Sequence, residues 1–388
     1  MKAVKKIAMW IGAGILFHLI VVFTGNAHLY NTLENTVFQG RLGPSIAEFE
    51  IFSNREVLAR NNQPWPISSM ANQKEVSPET EVKFEELGTV AFLVIHKDSI
   101  IKEQYWEGYS ANSKSNSFSM AKSILNIAIG SLIREGKIKS LDDPIALYLP
   151  KFDVSKFPEL SIRHLLQMSS GINFDENYIN PFAYPAKANY GDDLINLTYS
   201  YKVTKQPGEQ FEYRSGNSQL LSFIIEKASE MSTSQYVSEK IWKKIGAKND
   251  ALWSLDKPEG KEKAFCCFNS NARDFARIGK LFLQQGVWGK DTIVDAEFVK
   301  ASLSEAPIID VDNNPCKRYG LHWWLHNHDG REVFYARGIL GQYIAVIPDL
   351  DLIMVRLGHK RIKPNGVEAP PDLDIYLQEA ISFVRSAS

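Results

Sequence analysis

Hydrophobic and polar positions divide the chain into three stretches. From Ile7 to about Thr24 the run is apolar, broken only by His18, and Lys2, Lys5 and Lys6 precede it. Basic residues ahead of such a run orient it across a membrane with the N-terminus inside. Its length suits a short spanning helix and is long for the apolar core of a cleavable signal, although Gly25-Asn26-Ala27 offers a small-x-small cleavage site. Residues 1–27 are read as a membrane anchor in preference to a cleaved signal. Either segment exports the remainder, which is then held at the membrane facing the periplasm or exterior, or released there. Residues 28–86 form a polar lead-in, with Tyr30, Phe38 and Phe49 and a proline- and asparagine-rich turn at 61–66. This reads as an extension packed partly on the body.

From Gly88 the pattern changes. Apolar runs at 90–96 and 100–105 flank Lys97-Asp98-Ser99, the signature of a hairpin. A strongly apolar helix follows Ser119 and ends near Gly136. Residues from about 140 to 258 are mostly helical and loop-rich, with a longer helix from about Ser218 to Glu230 that carries Leu220, Leu221, Ile224 and Ile225 on one stripe. Strands return at about 319–326, 331–337, 342–348 and 351–357, before a last helix at roughly 372–385. Strands at both ends of residues 87–388 predict an α+β fold. Its antiparallel β-sheet is flanked by helices, and the mainly helical lobe is inserted between the strand groups.

Composition removes several functions. With 44 basic and 45 acidic residues mixed along the chain, there is no basic stripe for a nucleic acid. Cys266, Cys267 and Cys316 cannot all pair within one chain; a bridge to Cys316 and buried free thiols both stay open. His322, His326 and His328 share strand parity with Trp324. No His-Glu-x-x-His occurs and no carboxylate sits at ligand spacing, so they read as strand-face aromatics, and no metal or cofactor is expected.

The chemistry concentrates at Ser119-Met120-Ala121-Lys122. Ser-x-x-Lys occurs three times, but Ser99/Lys102 falls on a strand, where such positions face opposite ways, and Lys257 runs into Pro258. Only Ser119/Lys122 opens a helix, which puts hydroxyl and amine on one face and leaves the Ser119 N–H free to meet a developing oxyanion. Tyr213, in a Pro-Gly loop leading into an apolar helix, is the candidate base. A phenol titrates near ~10 in water. A neighbouring Lys122 ammonium would lower that value, whereas burial of Lys122 would instead depress the amine and let it share the proton.

Four blocks occur in order: Ser119-x-x-Lys122; Leu160 through Gly171; Pro207-Gly208 with Tyr213-x-Ser215; and Ala272-Arg273-Asp274 with Gly286-Val287-Trp288-Gly289. Over about residues 88 to 386 the chain resembles the class C β-lactamase-like serine hydrolases, a family of penicillin-binding proteins, carboxylesterases and 6-aminohexanoate-dimer hydrolases. Tyr213 through Asn217 and Gly341-Gln342-Tyr343 place the resemblance nearest the esterase and aminohexanoate branch. It implies Ser119 as the acylated nucleophile, Lys122 as its activator and Tyr213 as general base and proton shuttle. The asparagine usual two residues after the tyrosine is Ser215 here. The third motif falls at Ala336-Arg337-Gly338, without its usual cation at the first position. Gly338 still lets the strand approach a substrate, and the Ile339 N–H becomes the second oxyanion donor beside that of Ser119. Strand alternation aims Arg337 at the opposite face. Ser215, Tyr178, Gly338, Arg337 and Gly341 are the expected substrate contacts.

The resulting expectation is a serine hydrolase that cleaves small ester or amide substrates through an acyl-enzyme. A cell-wall D,D-peptidase or β-lactamase is the enzymatic alternative, and a non-catalytic muropeptide sensor the alternative of another class.

Overall fold

The β-branched and aromatic run at Val90–Ile95 is buried on both sides because it lies inside a sheet covered on both faces. The computed structural model describes residues 2–364 and 369–387. In chain order the strands are β1 (Asn54–Val57), β2 (Thr89–His96), β3 (Ser99–Tyr105), β4 (Ser115–Asn116), β5 (Ala251–Ser254) and β6 (Phe268–Ser270), followed by β7 (Val287–Trp288), β8 (Asp291–Thr292), β9 (Trp324–His328), β10 (Arg331–Gly338), β11 (Gln342–Ile347) and β12 (Leu352–Gly358). The main sheet is antiparallel in the order β3-β2-β12-β11-β10-β9, so the β2–β3 hairpin docks on the C-terminal meander through β12. This is the antiparallel, helix-flanked architecture that the strand pattern predicts.

Alternation along the strands supplies two cores. Leu93, Ile95, Phe334, Ile344, Val346, Ile353 and Val355 face the helices Ala121–Arg134 and Ala272–Leu283. Gly279 lets the second of these approach closely, since a Cβ there would press on Ile344, Val346 and Ile353. Phe92, Val94, Ala345 and Met354 face the C-terminal helix Pro371–Ala387, which contributes Leu373, Tyr376 and Leu377. The Ala121–Arg134 helix is buried from Ala121 to Leu132 and runs through the first core. Anything built on its first turn is therefore held rigidly.

Three expectations change. The strand expected at 319–326 is β9, starting at Trp324; His322 takes a left-handed φ of 58°, which breaks extended pairing just before it. The polar, serine-rich composition of residues 113–117 suggests a loop, but Ser115 and Asn116 form β4 against β6, and Ser117 is buried beside them. The lead-in carries its own structure, with helices His28–Asn35 and Pro78–Glu86 and an edge strand, β1, paired with β5. Ahead of it stands the helix Lys2–Phe23. Its span Lys5–Phe23 is long and apolar enough to cross a membrane, and almost none of it is buried.

Candidate active site

Ser119 sits in the tight turn Phe118–Met120 that feeds the Ala121–Arg134 helix. Phe118 has a left-handed φ of 44°, a costly conformation for a bulky residue. The flanks hold it there: the Ser117 N–H donates to Phe268 O at 2.8 Å and the Phe118 N–H to Asn116 Oδ1 at 2.8 Å. Behind the turn runs β10. A Cβ on Gly338 would lie 2.3 Å from Ser117 O, so only glycine lets that strand lie against the Ser119 turn.

Lys122 is almost wholly buried, with Nζ 3.1 Å from Ser119 Oγ, 3.3 Å from Ser215 Oγ and 2.6 Å from Phe265 O. Burial pulls its ammonium down to about 7, against the opposing attraction of the Glu176 carboxylate. Relative to water this amounts to about 5 kcal/mol against the charged form, at 1.36 kcal/mol per pKa unit. Desolvation wins over the nearby charge.

Tyr213 moves the other way. Burial raises its phenol above the ordinary value, outweighing a hydrogen bond with Ser119 and the positive fields of Arg337 and Arg361. The Lys122 amine lies 5.3 Å from the centre of the Tyr213 ring. Of the two electrostatic outcomes the sequence left open, the structure favours the depressed amine, and the phenol stays protonated at neutral pH. Trp324 packs on Tyr213 with ring centres 5.4 Å apart, and the Arg337 guanidinium stacks 3.6 Å from the centre of Trp324. Arg337 thus lies on the side of β10 opposite Ala336, as alternation requires, and acts on the phenol from there.

Sequence reasoning did not find Glu176. Its carboxylate accepts from the Ser215 N–H at 2.6 Å, the Ser215 hydroxyl at 2.5 Å and the Tyr178 hydroxyl at 2.6 Å. A chain of polar contacts therefore runs Ser119–Lys122–Ser215–Glu176–Tyr178. Tyr178 is 53% exposed although its hydroxyl is tied to Glu176. An acidic residue in a polar loop carries no periodic signal, and only the pairing of loop to site identifies it.

A cleft of about 150 Å³ opens at Ser119, and Phe118, Tyr178, Ser215, Phe265, Cys266 and Ile339 line it. Tyr190 lines it too, with its hydroxyl donating to Glu48 of the lead-in at 2.9 Å. Cys266 and Cys267 are bonded to each other, and Cys316 is a buried free thiol, which decides between the alternatives the sequence leaves open for Cys316. Gly341 is not at the cleft. A Cβ there would meet the Arg356 guanidinium at 2.2 Å, and its φ of 82° marks a structural turn. Asn217 likewise turns inward, accepting from Ser170 Oγ at 2.6 Å.

The other Ser-x-x-Lys copies lie elsewhere: Lys102 pairs with Glu75 at 3.0 Å, and Ser254 Oγ donates to Asn54 Oδ1 at 2.8 Å. Among the histidines, His322 is buried and held down to about 3 by burial, so it is neutral, with ring nitrogens on Ser218 and Leu166 O. His326 and His328 both meet Asp374 Oδ1, at 2.8 and 2.7 Å, so the C-terminal helix supplies the carboxylate that strand spacing lacks. His326 and His328 of β9 and Asp374 of the C-terminal helix lie together, outside the residues lining the Ser119 cleft.

An amine held near neutrality against a serine one helical turn away, beside a protonated phenol on an antiparallel sheet, is the arrangement of a serine-type hydrolase. The family model described as Beta-lactamase matches residues 79–376, and the chain belongs to that family. It is 28% identical over 296 residues to a 6-aminohexanoate-dimer hydrolase from Paenarthrobacter ureafaciens, covering 72% of this chain and 75% of that protein. Among solved structures it resembles a provisionally assigned 6-aminohexanoate-dimer hydrolase from Bacillus anthracis (TM-score 0.74, 22% identity, 88% of this chain and 93% of that one). It also resembles a family VIII carboxylesterase (TM-score 0.61, 15% identity, 80% and 99%). The protein is a hydrolase of the serine type on a β-lactamase-like fold.

Proposed function

We propose that the protein cleaves small esters or amides through an acyl-enzyme on Ser119, at the outer face of a membrane to which the Lys2–Phe23 helix anchors it. The observation that carries this reading is the buried Lys122 amine, brought to about 7 and 3.1 Å from the Ser119 hydroxyl. A neutral amine has two N–H groups and one lone pair. Phe265 O and Ser215 Oγ take the two hydrogens, which turns the lone pair toward Ser119.

Ser119 Oγ attacks the substrate carbonyl carbon as its proton passes to Lys122. The carbonyl oxygen becomes an oxyanion held by the N–H groups of Ser119 and Ile339. When the carbon–oxygen or carbon–nitrogen bond breaks, Tyr213 gives its proton to the departing alcohol or amine and regains one from Lys122 by way of the reacting oxygens. Water then enters, loses a proton along the same path, and releases the acid and free Ser119. Glu176 and Ser215 position the amine. Tyr178 borders the substrate from the cleft lining, Gly338 brings β10 against the Ser119 turn, and Arg337 acts only through the field it exerts on Tyr213.

The small cleft and the alanine at the first position of the third motif support esters and amides over carboxylate-bearing β-lactams or peptides. The similarity to an aminohexanoate-dimer hydrolase supports an amide as readily as an ester. Incubation with a fluorophosphonate probe, digestion and mass spectrometry should locate one adduct on Ser119 and none in Ser119→Ala. Undiminished labelling of that variant defeats the assignment. Product release from p-nitrophenyl esters separates this reading from a silent sensor.

A further inference from the structure

The lead-in does not merely precede the hydrolase: it forms one wall of its cleft. Thr32, Thr36, Leu42, Gly43 and Pro44 line the cavity that opens at Ser119, opposite Tyr178 and Ile179. The wall is fixed in place, since His28 Nε2 meets Pro181 O at 2.8 Å and the Asn31 amide donates to Tyr190 O at 2.9 Å. The mouth is apolar and open. Leu42 is fully exposed, Ile179 is 88% exposed, and both line the cavity itself. Phe38 and Phe182 follow the lining residues Thr36 and Pro181 in the chain and are 76% and 50% exposed. Charge is sparse there: between Thr24 and Ala47 the sequence holds only Glu34 and Arg41, and residues 177–183 hold none. Exposed aromatic and aliphatic side chains around a cavity mouth mark an interaction surface.

What this surface meets follows from the chain. Phe23 ends the apolar helix and His28 starts the next. The five-residue step between them spans at most about 18 Å even when fully extended. Thr32 lies about 6 Å further along a helix. The two helices also touch, with Val21 buried and His18 Nδ1 3.1 Å from the Tyr30 hydroxyl. If the first helix spans the bilayer, the cleft wall stands at the bilayer surface. The cavity is too small to enclose a long chain, being below the roughly 300 Å³ of common small-molecule sites.

We infer that this hydrolase takes its substrate from the bilayer: an ester or amide of a long alkyl chain, with the scissile carbonyl at Ser119 and the chain laid over the Leu42–Ile179 lip into the lipid. The inference rests on the acyl-enzyme reading and on retention of the anchor, and it narrows the word small to the scissile end that enters the cleft, the alkyl chain staying outside it.

The test uses full-length enzyme in nanodiscs of phosphatidylcholine and phosphatidylglycerol. It reads the ratio of kcat/KM for 4-methylumbelliferyl palmitate dissolved in the disc to that for the acetate ester in solution. Introducing Phe38→Glu and Phe182→Glu together should lower this ratio at least about tenfold, since two carboxylates on the lip oppose its contact with lipid. An unchanged ratio overturns the proposal. A nitroxide on Phe182→Cys gives a readout independent of turnover: it should relax with oxygen and be shielded from a water-soluble nickel chelate. Water-like relaxation overturns the proposal, and so does dipolar broadening between copies, which would mark the patch as a self-contact. If acetate turnover and Ser119 labelling persist under those results, the hydrolase reading stands alone. If wild-type enzyme shows neither, that reading fails, and the nitroxide still decides whether the lip meets lipid.

Discussion

Burial brings two lysines among the described residues, Lys122 and Lys263, down to about 7. Lys122, on the first turn of a helix, meets two hydroxyls and a carbonyl of residues that line the cleft. Lys263 instead lies over the Phe52 ring, 3.0 Å from its centre, with Glu48 and Asp256 as its counter-charges. Phe52 and Glu48 both belong to the lead-in, so Lys263 fastens that segment to the body. The two amines have nearly the same proton affinity and differ in what stands within reach. A depressed amine becomes a candidate catalyst only when its lone pair has a hydroxyl to deprotonate.

The sharpest way to break this comparison is to remove each amine. Lys122→Met should lower kcat/KM by about 10³-fold, the range for loss of a positioned acid–base group. Lys263→Met should leave turnover per folded molecule within about threefold of wild type, because it touches no reacting atom. Equal losses in the two variants would erase the distinction. Next in size, Tyr213→Phe should cost about 10²-fold in kcat with little change in KM, and a wild-type kcat there removes the phenol from the proton path. The smallest effect is on pH dependence. The amine works when neutral, so kcat/KM should rise with pH through about 7 as Lys122 loses its proton. The Glu176 charge favours the ammonium, so Glu176→Gln should shift this acid limb to lower pH. A limb that stays put, or moves upward, means another group controls it.

Legibility in the sequence followed range. Ser119 and Lys122 are three residues apart on one helix, and a local period is enough to pair them. The β2–β3 hairpin and the β10–β12 meander were equally local, so their positions came within a few residues. Tyr213 is far away in sequence; its loop makes it a candidate, and the ordered family blocks are what single it out. Its electrostatics stayed undecided because they depend on how deeply both partners are buried. Glu176 and the lead-in wall had no local signature at all; loop 172–183 and residues 28–44 acquire a role only by meeting across the cleft. Gly341 was misplaced for a related reason. Its position next to the third motif suggested substrate, but the left-handed turn at Leu340 swings the backbone onto Arg356. The histidines on β9 lacked a carboxylate along the strand and gained one from a helix 46 residues away.

The bond between Cys266 and Cys267 leaves a record of where a given molecule matured. Such bonds close in oxidising compartments and stay open where glutathione keeps thiols reduced. Trypsin frees the pair in the single peptide 264–273, so molecules held in a reducing and in an oxidising compartment differ there by two hydrogen atoms. Weighing that peptide without reductant turns one wall of the cleft into a label for the route each molecule has taken.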